Sequence, residues 1–439
     1  MIRYRLRLKN SPLPNNDNHF QKGCQLIDIR KPNTILIVSS ELDVSEVVAR
    51  IRSRYPIPAW TFIYLLEDLL GQAGEELKRD GNFVVRDFAV HEDVEKVFSQ
   101  ITNTYSVTAV IPNDEFAVYI AAWANDYWQL PGLTFDMATR FRDKKRMKHI
   151  AQTFDIPTAR EITVDDISRG AVTFPVILKP RSMAGAVGVK IITEAQQLFE
   201  AYAPASDDYQ DMNEHQYLIE TYNPQPLYQL DAVVLKGQLA FLAAGEYLGK
   251  PIDYLAECPL GYFSLAEEDI QHLWRPFIER VLSAFDGPDG VYHIEAFGDA
   301  GNGFELLEIA YRPGGASTVD MIKIAHGIDL RFIHLAVQLG LVDALHVERA
   351  GEAFGYMTFP KKHLAREKLH VTQVLLPSIE TLPTLKMKTI AQVGDIASGE
   401  FFCHKDCLGA FVFCGDRDSV ARDLKHIVDS YSVHTASEL

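Results

Sequence analysis

The sequence contains no apolar run that approaches the roughly 20 residues of a membrane-spanning helix, so we expect no membrane partner. Its N-terminus is basic but lacks the apolar segment of a secretory signal. The chain has only 5 cysteines, an odd number that does not suit a disulfide framework. These absences predict a protein of the reducing cytoplasm.

Positive charge is also scarce. The 43 lysines and arginines are outnumbered by 59 aspartates and glutamates, which gives a formal net charge of −16. A chain this acidic is a poor general binder of nucleic acids, and we expect no nucleic-acid partner. It can still bind nucleotides, because a phosphate site needs only a few local lysines and backbone amides.

Common catalytic signatures are missing. The sequence has neither a Walker A loop nor a Gly-x-Gly-x-x-Gly loop that opens a helix, and it shows no convincing Ser/His/Asp or Cys/His arrangement. Cys403, His404, Cys407 and Cys414 come nearest to a zinc site, but the first pair is too widely spaced and no second pair follows. Buried free thiols beside a strand are the favoured interpretation.

The chain is long enough for two or three packed units, with 439 residues of which 47% are hydrophobic. In residues 34–128, short apolar strands alternate with helical segments, which predicts a doubly wound parallel sheet. Ligands of such sheets lie beyond the C-terminal ends of strands, so Pro112–Glu115 is a candidate substrate wall, with a helix N-cap as the favoured alternative. Within residues 1–30, Tyr4–Leu8 resembles an edge strand.

The pattern changes after Leu130–Gly132, which looks like the end of a first domain. Thr139–Phe154 predicts a basic amphipathic helix. Near the C-terminus, a strand at Thr389–Ile396 and a helix at Ser419–Ser430 predict part of a small α+β unit.

A strand that ends on a lysine, Phe174–Pro180, is followed by a loop of small residues and a further strand. Gly185 and Gly188 allow the backbone to point its amides at phosphate oxygens, and Lys179 can add a point charge. This pattern predicts a flap that covers a phosphate. An ordinary hairpin turn is the alternative.

The most informative segment contains two apolar runs, Val291–Phe297 and Phe304–Tyr311, on either side of a glycine-rich turn. It predicts a β-hairpin, and we expect Phe297 to pair with Phe304. In that register two carboxylates, Glu295 and Glu308, are diagonal neighbours on one face, with their backbones roughly 7–8 Å apart.

Two interpretations of this carboxylate pair are open. A divalent cation such as Mg²⁺ between Glu295 and Glu308 would remove their repulsion, and Arg312 beyond the second strand offers a fixed positive charge to an anion. The alternative is a solvated hairpin with one exposed acidic row.

Taken in order, these segments resemble the ATP-grasp superfamily, and within it the carboxylate–amine ligases related to bacterial L-amino acid ligases. The resemblance runs from about residue 34 to about residue 430. It rests on six motifs in the order that the family uses: Leu130–Gly132, Arg142–Lys144, Val176–Pro180 with the small-residue loop, Leu218–Tyr222, His293–Glu295 and Leu307–Gly315.

The resemblance implies an ATP-grasp architecture of α/β and α+β domains. The N-terminal Rossmann-like domain would comprise residues 1–135. The ATP-grasp domain would comprise residues 136–350, with a flap lobe at about 160–225 and a metal-binding lobe at about 226–350. A small C-terminal α+β subdomain would comprise residues 351–439.

The resemblance also implies roles for single residues. The nucleotide-binding positions would be Lys144, Lys179, Ser182, Gly185, Gly188, Glu220 and Tyr222. Lysines in this set would hold the phosphates, the Ser182–Gly188 loop would close over them, and the backbone from Glu220 to Tyr222 would form the hinge that contacts adenine.

The two motifs of the metal-binding lobe, His293–Glu295 and Leu307–Gly315, carry the remaining implied roles. Glu295 and Glu308 would bind Mg²⁺, with Mn²⁺ as an alternative ion, and Arg312 would be catalytic by stabilising the transferring phosphoryl group. Amides of Gly314 and Gly315 would face the substrate. His293 is a candidate base for the amine, although a packed strand histidine is the favoured alternative.

Two positions depart from the family's pattern. Leu227 stands where many members carry a carboxylate for the ribose hydroxyls, so Gln225 or Asp231 could take over that contact. Ala310 stands where many members carry an asparagine that can bind a second Mg²⁺. Gly245–Cys258 is either part of an acceptor pocket or a mobile surface loop, and both interpretations are open.

The resemblance therefore implies an ATP-dependent ligase that joins a small carboxylate, such as an amino acid, to an amine through an acyl-phosphate, releasing ADP and phosphate. One alternative is a ligase that loads an amino acid onto a carrier protein or a natural-product intermediate. An alternative of another class is an ATP-binding regulatory protein that has lost catalysis. The sequence does not specify the oligomeric state, for which a homodimer is the commonest assembly.

Overall fold

The structure is a computed structural model that describes residues 31–57, 59–69, 71, 74, 77, 80–202, 217–299, 301, 303–399, 401 and 406–437. The described chain packs as two compact units. The first contains the chain up to Thr139 together with Pro288–Gly290 and Arg331–Asp343, and the second contains the remainder. The domain boundaries near residues 135 and 350 stay predictions.

Three features of the sequence analysis lie outside the described residues. They are the edge strand at Tyr4–Leu8 and two of the candidate zinc ligands, Cys403 and His404.

The first unit is built on a four-stranded parallel sheet. Its elements in chain order are β1 (Asn33–Ser39), α1 (Val44–Arg54), β2 (Trp60–Glu67), β3 (Asn82–Val85), α2 (His91–Thr104), β4 (Ala109–Pro112), α3 (Ala117–Trp128) and α4 (Phe135–Arg140). The strand order is β3-β2-β1-β4, with every pair parallel. Ile35–Val38 are completely buried, as expected of a central parallel strand that is covered on both faces.

The loop after β4 is a helix cap. The carboxylate of Asp114 accepts hydrogen bonds from the backbone amides of Phe116 (3.1 Å) and Ala117 (3.2 Å), where α3 begins. It also accepts from the hydroxyls of Ser39 (3.0 Å) and Ser40 (2.8 Å) at the end of β1. This cluster ties two neighbouring strands together, so the structure supports the capping interpretation of Pro112–Glu115.

The second unit begins with a small three-stranded sheet. Its elements are α5 (Lys144–Thr153), α6 (Val164–Ser168), β5 (Val176–Pro180), β6 (Lys190–Ile192), α7 (Ala195–Tyr202) and β7 (Tyr217–Thr221). The strands are antiparallel in the order β6-β5-β7 and bury a small apolar core. The prediction of one helix over Thr139–Phe154 was wrong, because Asp143 adopts an extended backbone and caps the new helix α5 with its side chain.

The remaining elements follow in chain order: β8 (Leu227–Leu235), β9 (Gln238–Leu248), α8 (Pro251–Tyr254), β10 (Leu260–Ser264), α9 (Glu267–Asp269), α10 (Arg275–Phe285), β11 (Gly290–Asp299), β12 (Gly303–Ala310), α11 (Thr318–His326), α12 (Leu330–Gln338), β13 (Ala353–Pro360), β14 (His370–Leu375), β15 (Leu385–Ile390), β16 (Cys407–Gly415), α13 (Arg417–Ser430) and β17 (Ser432–Ala436). A π-helical segment, Ile270–Trp274, joins α9 to α10, and Ile379–Thr381 forms a 3₁₀ turn.

An eight-stranded sheet dominates the second unit, in the order β12-β11-β8-β9-β10-β13-β16-β15. Its core includes Phe141 and Met147, which bracket the start of α5, together with apolar residues of β8, β11 and β12. The C-terminal strands β13, β15 and β16 belong to this same sheet, whereas β14 and β17 pair with each other. Among the described residues, none of the helices combines the length and hydropathy that a membrane crossing requires.

The strand predicted at Thr389–Ile396 was misplaced. The structure has β15 at Leu385–Ile390, and the chain then turns at Gln392, whose amide donates to the Asp395 carboxylate at 2.7 Å. An aspartate that bonds backbone two or three residues away favours a turn over a strand.

Candidate active site

The two carboxylates of the central hairpin lie directly opposite each other. The pairing of β11 with β12 sets Glu295 against Glu308 and His293 against Ala310. The predicted register was wrong, because Phe297 pairs with Glu305 and a β-bulge leaves Leu307 without an opposite partner. The bulge converts a diagonal arrangement into a direct one, in which side chains on one face have Cβ atoms about 4.5–5.5 Å apart.

Lys144 forms an ion pair with Glu308. Its Nζ lies 3.0 Å from Glu308 Oε2 and donates to the carbonyl oxygen of Met183 at 2.7 Å. Both ionic side chains are more than four-fifths buried, with 11% and 19% of their surfaces exposed. Lys144 is the first residue of α5, so this helix delivers a positive charge to the carboxylate pair.

The predicted phosphate-covering loop begins in contact with the start of α5. Arg142 donates to the Ser182 carbonyl oxygen at 2.6 Å, and the Lys144 amide donates to the Arg181 carbonyl oxygen at 2.9 Å. Asp143 forms an ion pair with the Arg181 guanidinium, whose Nε lies 3.0 Å from Oδ1. The predicted strand–loop–strand pattern is present, since β5 and β6 pair on either side of this loop.

The two glycines of this loop adopt backbone conformations that favour glycine, as the sequence analysis expected. Gly185 and Gly188 have φ angles of 64° and 75°, in the left-handed region. A Cβ atom on Gly188 would also lie 2.8 Å from the ring of Pro180. A larger residue at position 188 would therefore displace the end of β5 as well as strain the turn.

Three buried charges meet where β5 pairs with β7. Lys179 Nζ lies 2.5 Å from Glu220 Oε1, and Lys148 Nζ lies 2.6 Å from Glu220 Oε2. Burial lowers the pKa of Lys179, and Glu220 opposes this effect. Although burial alone would raise it, the two lysines hold the pKa of Glu220 below its usual range. Both oxygens of the Glu220 carboxylate are therefore engaged by lysines.

His293 is held between two carboxylates. Its Nδ1 lies 3.2 Å from Asp231 Oδ1 and its Nε2 lies 3.6 Å from Glu295 Oε1. Burial disfavours the imidazolium, but the interactions with Asp231 and Glu295 outweigh burial and raise the pKa of His293 to about 9. Both ring nitrogens therefore face carboxylates, which makes the ring poorly suited to act as the general base.

A polar network continues from this histidine along the sheet. Tyr247 donates its hydroxyl proton to Glu295 Oε1 at 2.6 Å. Gln229 donates to Asp231 Oδ2 at 2.7 Å and accepts from the Tyr356 hydroxyl at 3.1 Å. These side chains come from four strands of one sheet, and together they fix the positions of His293 and Glu295.

The segment after β12 approaches the same network. A Cβ atom on Gly314 would lie 2.6 Å from Asp231 Oδ1 and 3.0 Å from His293 Nδ1, so only glycine fits there without displacement. The Gly315 carbonyl oxygen accepts from the Thr318 amide at 3.1 Å, where α11 begins. Arg312 donates to the Pro313 carbonyl oxygen at 2.8 Å, and its charge opposes protonation of His293.

The hinge and one of the departing positions, Leu227, lie close to each other in sequence. Lys250 Nζ donates to the Tyr222 hydroxyl at 3.3 Å, which links the segment 245–258 to the hinge. Leu227 is the first residue of β8. Gln225 lines an open cleft of about 460 Å³ together with Pro157 and Phe304. Asp231 is 1% exposed and bonded to His293, whereas Gln225 lies at the cleft.

Within the described residues, no group of three or more His, Cys, Asp or Glu side chains is arranged to hold a metal ion. The pair Glu295 and Glu308 could therefore hold a cation only with oxygen ligands supplied from elsewhere. Mg²⁺ is commonly bound in this way, by one or two carboxylates together with phosphate oxygens and waters.

Sequence reasoning missed Lys148, Tyr247 and Gln229. Lys148 follows Lys144 by four residues, which places both lysines on one face of α5, and this spacing was a readable signal. Tyr247 and Gln229 join the site only through pairing across β8, β9 and β11, for which the sequence carries no local signal.

No family model matches the chain. By sequence it is similar to the D-alanine--D-alanine ligase of Pseudomonas entomophila (strain L48), with 27% identity over 213 residues, and to carnosine synthase 1 of Homo sapiens, with 26% identity over 264 residues. The matches cover 44% and 56% of this chain. The chain spans 63% of that D-alanine--D-alanine ligase and 31% of that carnosine synthase.

Solved structures match far more of the chain. The L-amino acid ligase from Bacillus licheniformis has a TM-score of 0.68 at 15% identity, covering 92% of this chain and 98% of that one. The N5-carboxyaminoimidazole ribonucleotide synthetase from Thermotoga maritima has a TM-score of 0.62 at 16% identity, covering 92% and 100%. This chain has the ATP-grasp fold. The ATP-grasp interpretation of its motifs is thereby confirmed at the level of the fold.

A third neighbour shows which ligands an ATP-grasp site can hold. The biotin carboxylase domain of Hydrogenobacter thermophilus 2-oxoglutarate carboxylase was solved with MgADP and bicarbonate, and it matches with a TM-score of 0.64 at 12% identity over 92% of this chain and 91% of that one.

Proposed function

We propose that this ATP-grasp protein is an ATP-dependent carboxylate–amine ligase that works through an acyl-phosphate. The observation that carries the proposal is the directly opposed pair Glu295 and Glu308, with Lys144 on one carboxylate and His293 on the other. Opposed carboxylates with adjacent cations suit the binding of a metal-complexed polyphosphate. The names of the sequence relatives support ligation as the reaction.

The residues at the hairpin fit a magnesium ion. Glu295 and Glu308 offer hard oxygen ligands at one place, and Tyr247 holds one oxygen of Glu295. Mg²⁺ bound there would neutralise charge on the phosphates. Mn²⁺, which accepts the same ligands, is an alternative that the site does not distinguish. Ala310, directly across from His293, supplies no second-metal ligand, so we propose that these two glutamates provide all the protein ligands.

The nucleotide would be held by the small sheet and its loop. We propose that Lys144 and Lys179 contact the phosphates, that the Ser182–Gly188 loop covers them, and that backbone groups near Tyr222 contact adenine. The support is local: the loop is anchored to α5 through Arg142 and Lys144, and its glycines have left-handed backbone.

The chemistry needs no nucleophilic side chain. An oxygen of the substrate carboxylate attacks the γ-phosphorus of ATP, the bond to the β–γ bridging oxygen breaks, and ADP leaves. The amine nitrogen then attacks the acyl carbon, loses a proton, and phosphate leaves with the bonding electron pair. Arg312 would stabilise charge on the transferring phosphoryl group, with Gly314 and Gly315 beside it. Since both ring nitrogens of His293 face carboxylates, we propose that it orients Glu295 and does not accept the amine proton.

We propose amino acids or similar small acids and amines as the substrates. The names D-alanine--D-alanine ligase and L-amino acid ligase refer to amino acids, and the name carnosine synthase refers to a dipeptide. A carrier-bound acceptor and a homodimer stay predictions.

The test is ATP turnover with Mg²⁺ across pairs of amino acids and small carboxylates, with ADP, AMP, phosphate and pyrophosphate all measured. We expect ADP and phosphate to form only with particular pairs. AMP and pyrophosphate would contradict the acyl-phosphate mechanism. ATP binding without turnover for any pair would favour a carrier-bound substrate or a regulatory protein.

The variant Glu308→Ala tests the metal assignment. We expect ADP formation to fall at least about 10²-fold while the protein stays folded, because one of two metal ligands is lost. Glu279→Ala is the control, since Glu279 lies on α10, is 53% exposed and pairs with Arg275 at 3.3 Å. Full turnover by Glu308→Ala would show that the metal assignment is wrong.

A further inference from the structure

Lys148 is a buried lysine that the proposed reaction does not use. Its side chain is 4% exposed, and its Nζ lies 2.6 Å from Glu220 Oε2. The other oxygen of Glu220 is taken by Lys179 at 2.5 Å. One buried carboxylate is thus shared by two buried lysines.

Further contacts hold Lys148 in place. Its Nζ donates to the Ala159 carbonyl oxygen at 2.8 Å and to Thr158 Oγ1 at 3.2 Å. Thr158 in turn donates to the carbonyl oxygen of Leu306 on β12 at 3.0 Å. Lys148 therefore connects α5, the hinge strand β7 and the strand that carries Glu308.

The charges of this triad do not cancel. With both lysines protonated and Glu220 ionised, two positive charges and one negative charge leave a net charge of +1. If Lys148 were neutral, Glu220 would cancel the charge of Lys179, and no net charge would be left for an anion. Buried charges interact strongly because little water screens them.

We propose that Lys148 is a positioning residue for nucleotide binding, which neutralises Glu220 so that the charge of Lys179 is available to the triphosphate. This inference rests on the proposed function, because it takes Lys179 to be a phosphate contact. If Lys148 had only a structural role, it would hold the hinge strand in place. Its replacement would then weaken the binding of ATP and of adenosine equally.

Four variants separate the two roles. Lys148→Gln removes the charge, Lys148→Arg keeps it, and the double variant Lys148→Gln/Glu220→Gln restores the net charge of +1. Lys145→Gln is the control, because Lys145 lies on the same helix but is 44% exposed and pairs with Glu161 at 2.8 Å. Dissociation constants of ATP and of adenosine are measured by ligand-observed NMR titration with Mg²⁺ present.

We expect Lys148→Gln to weaken ATP binding at least about tenfold and to leave adenosine binding unchanged. Lys148→Arg should bind ATP within about threefold of the wild type, the double variant should recover affinity that Lys148→Gln loses, and the control should match the wild type. Wild-type affinity of Lys148→Gln for ATP would overturn the inference. Equal losses for ATP and adenosine, with no recovery in the double variant, would show a structural tether.

Two further results are informative. If Lys148→Gln does not fold, Lys148→Arg and the double variant carry the test, and failure of either to bind ATP overturns the inference. If the wild type binds neither ATP nor adenosine, the proposed function fails and the inference fails with it. ATP binding by the wild type separates this case from failure of the inference alone.

Discussion

Glu295 lies between Tyr247 and His293, and both neighbours favour its ionised form. Burial alone would raise its pKa, but His293 and Tyr247 hold the pKa of Glu295 below its usual range. A carboxylate that stays ionised while buried is suited to bind a cation. At the scale of single residues, the site pairs each of its two carboxylates with a basic side chain: Glu308 with Lys144, and Glu295 with His293.

Tyr247→Phe removes the hydroxyl that donates to Glu295 and leaves the ring in place. We expect the Mg²⁺ concentration for half-maximal ADP formation to rise several-fold, because Glu295 loses the bond that orients it. Tyr262→Phe is the control: Tyr262 lies on the neighbouring strand, and its hydroxyl has no hydrogen-bond partner within the described part of the chain. An unchanged Mg²⁺ requirement in Tyr247→Phe would contradict the role assigned to the hydroxyl.

At the scale of elements, α5 organises the candidate site. Its cap, Asp143, accepts from the amides of Lys145 (2.9 Å) and Arg146 (3.3 Å), and the same carboxylate pairs with Arg181 at the start of the loop. One side chain thus begins the helix that carries Lys144 and anchors the loop that would cover the phosphates.

Asp143→Ala should therefore do more than remove a helix cap. We expect a loss of about 1 kcal/mol or more in the free energy of unfolding, together with faster tryptic cleavage after Arg181. Asp416→Ala provides the matched control. Asp416 caps α13, because its Oδ1 accepts a hydrogen bond from the Ser419 amide at 3.0 Å. This variant should lose similar stability, measured by chemical denaturation, without faster cleavage at Arg181. Equal cleavage rates in both variants would contradict the role of Asp143 in holding the loop at Arg181.

At the scale of the whole molecule, the eight-stranded sheet has two edges to protect. The edge at β12 is covered, because the Leu306 amide donates to the Pro157 carbonyl oxygen at 2.8 Å. The edge at β15 instead carries two exposed lysines, Lys386 and Lys388. Charged side chains on an edge strand discourage pairing with other chains.

Replacing both edge lysines by valine should promote self-association. We expect Lys386→Val/Lys388→Val to form larger species with increasing protein concentration in size-exclusion chromatography with light scattering. Lys96→Val/Lys425→Val makes the same change of charge on two exposed helix positions and should elute as the wild type does. Identical elution of all three proteins would mean that the lysines do not protect this edge.

The hairpin shows how far sequence reasoning extended. Apolar runs around a glycine-rich turn correctly predicted β11 and β12 and put Glu295 and Glu308 on one face. The register was wrong, because a bulge at Leu307 depends on how the strands pack in the sheet. The helix that starts at Lys144 was predicted too long, since the capping role of Asp143 was not recognised.

What the sequence determined by itself is the set of local patterns: alternating strands and helices for the parallel sheet, a strand–loop–strand flap with two glycines, and two glutamates on a hairpin. These patterns depend on neighbours a few residues apart, so they can be read along the chain. The tertiary structure alone decided the buried partnerships of Lys148 with Glu220 and of Tyr247 with Glu295. Those contacts join residues about 50 to 70 positions apart, and burial, which no local pattern encodes, gives them their strength.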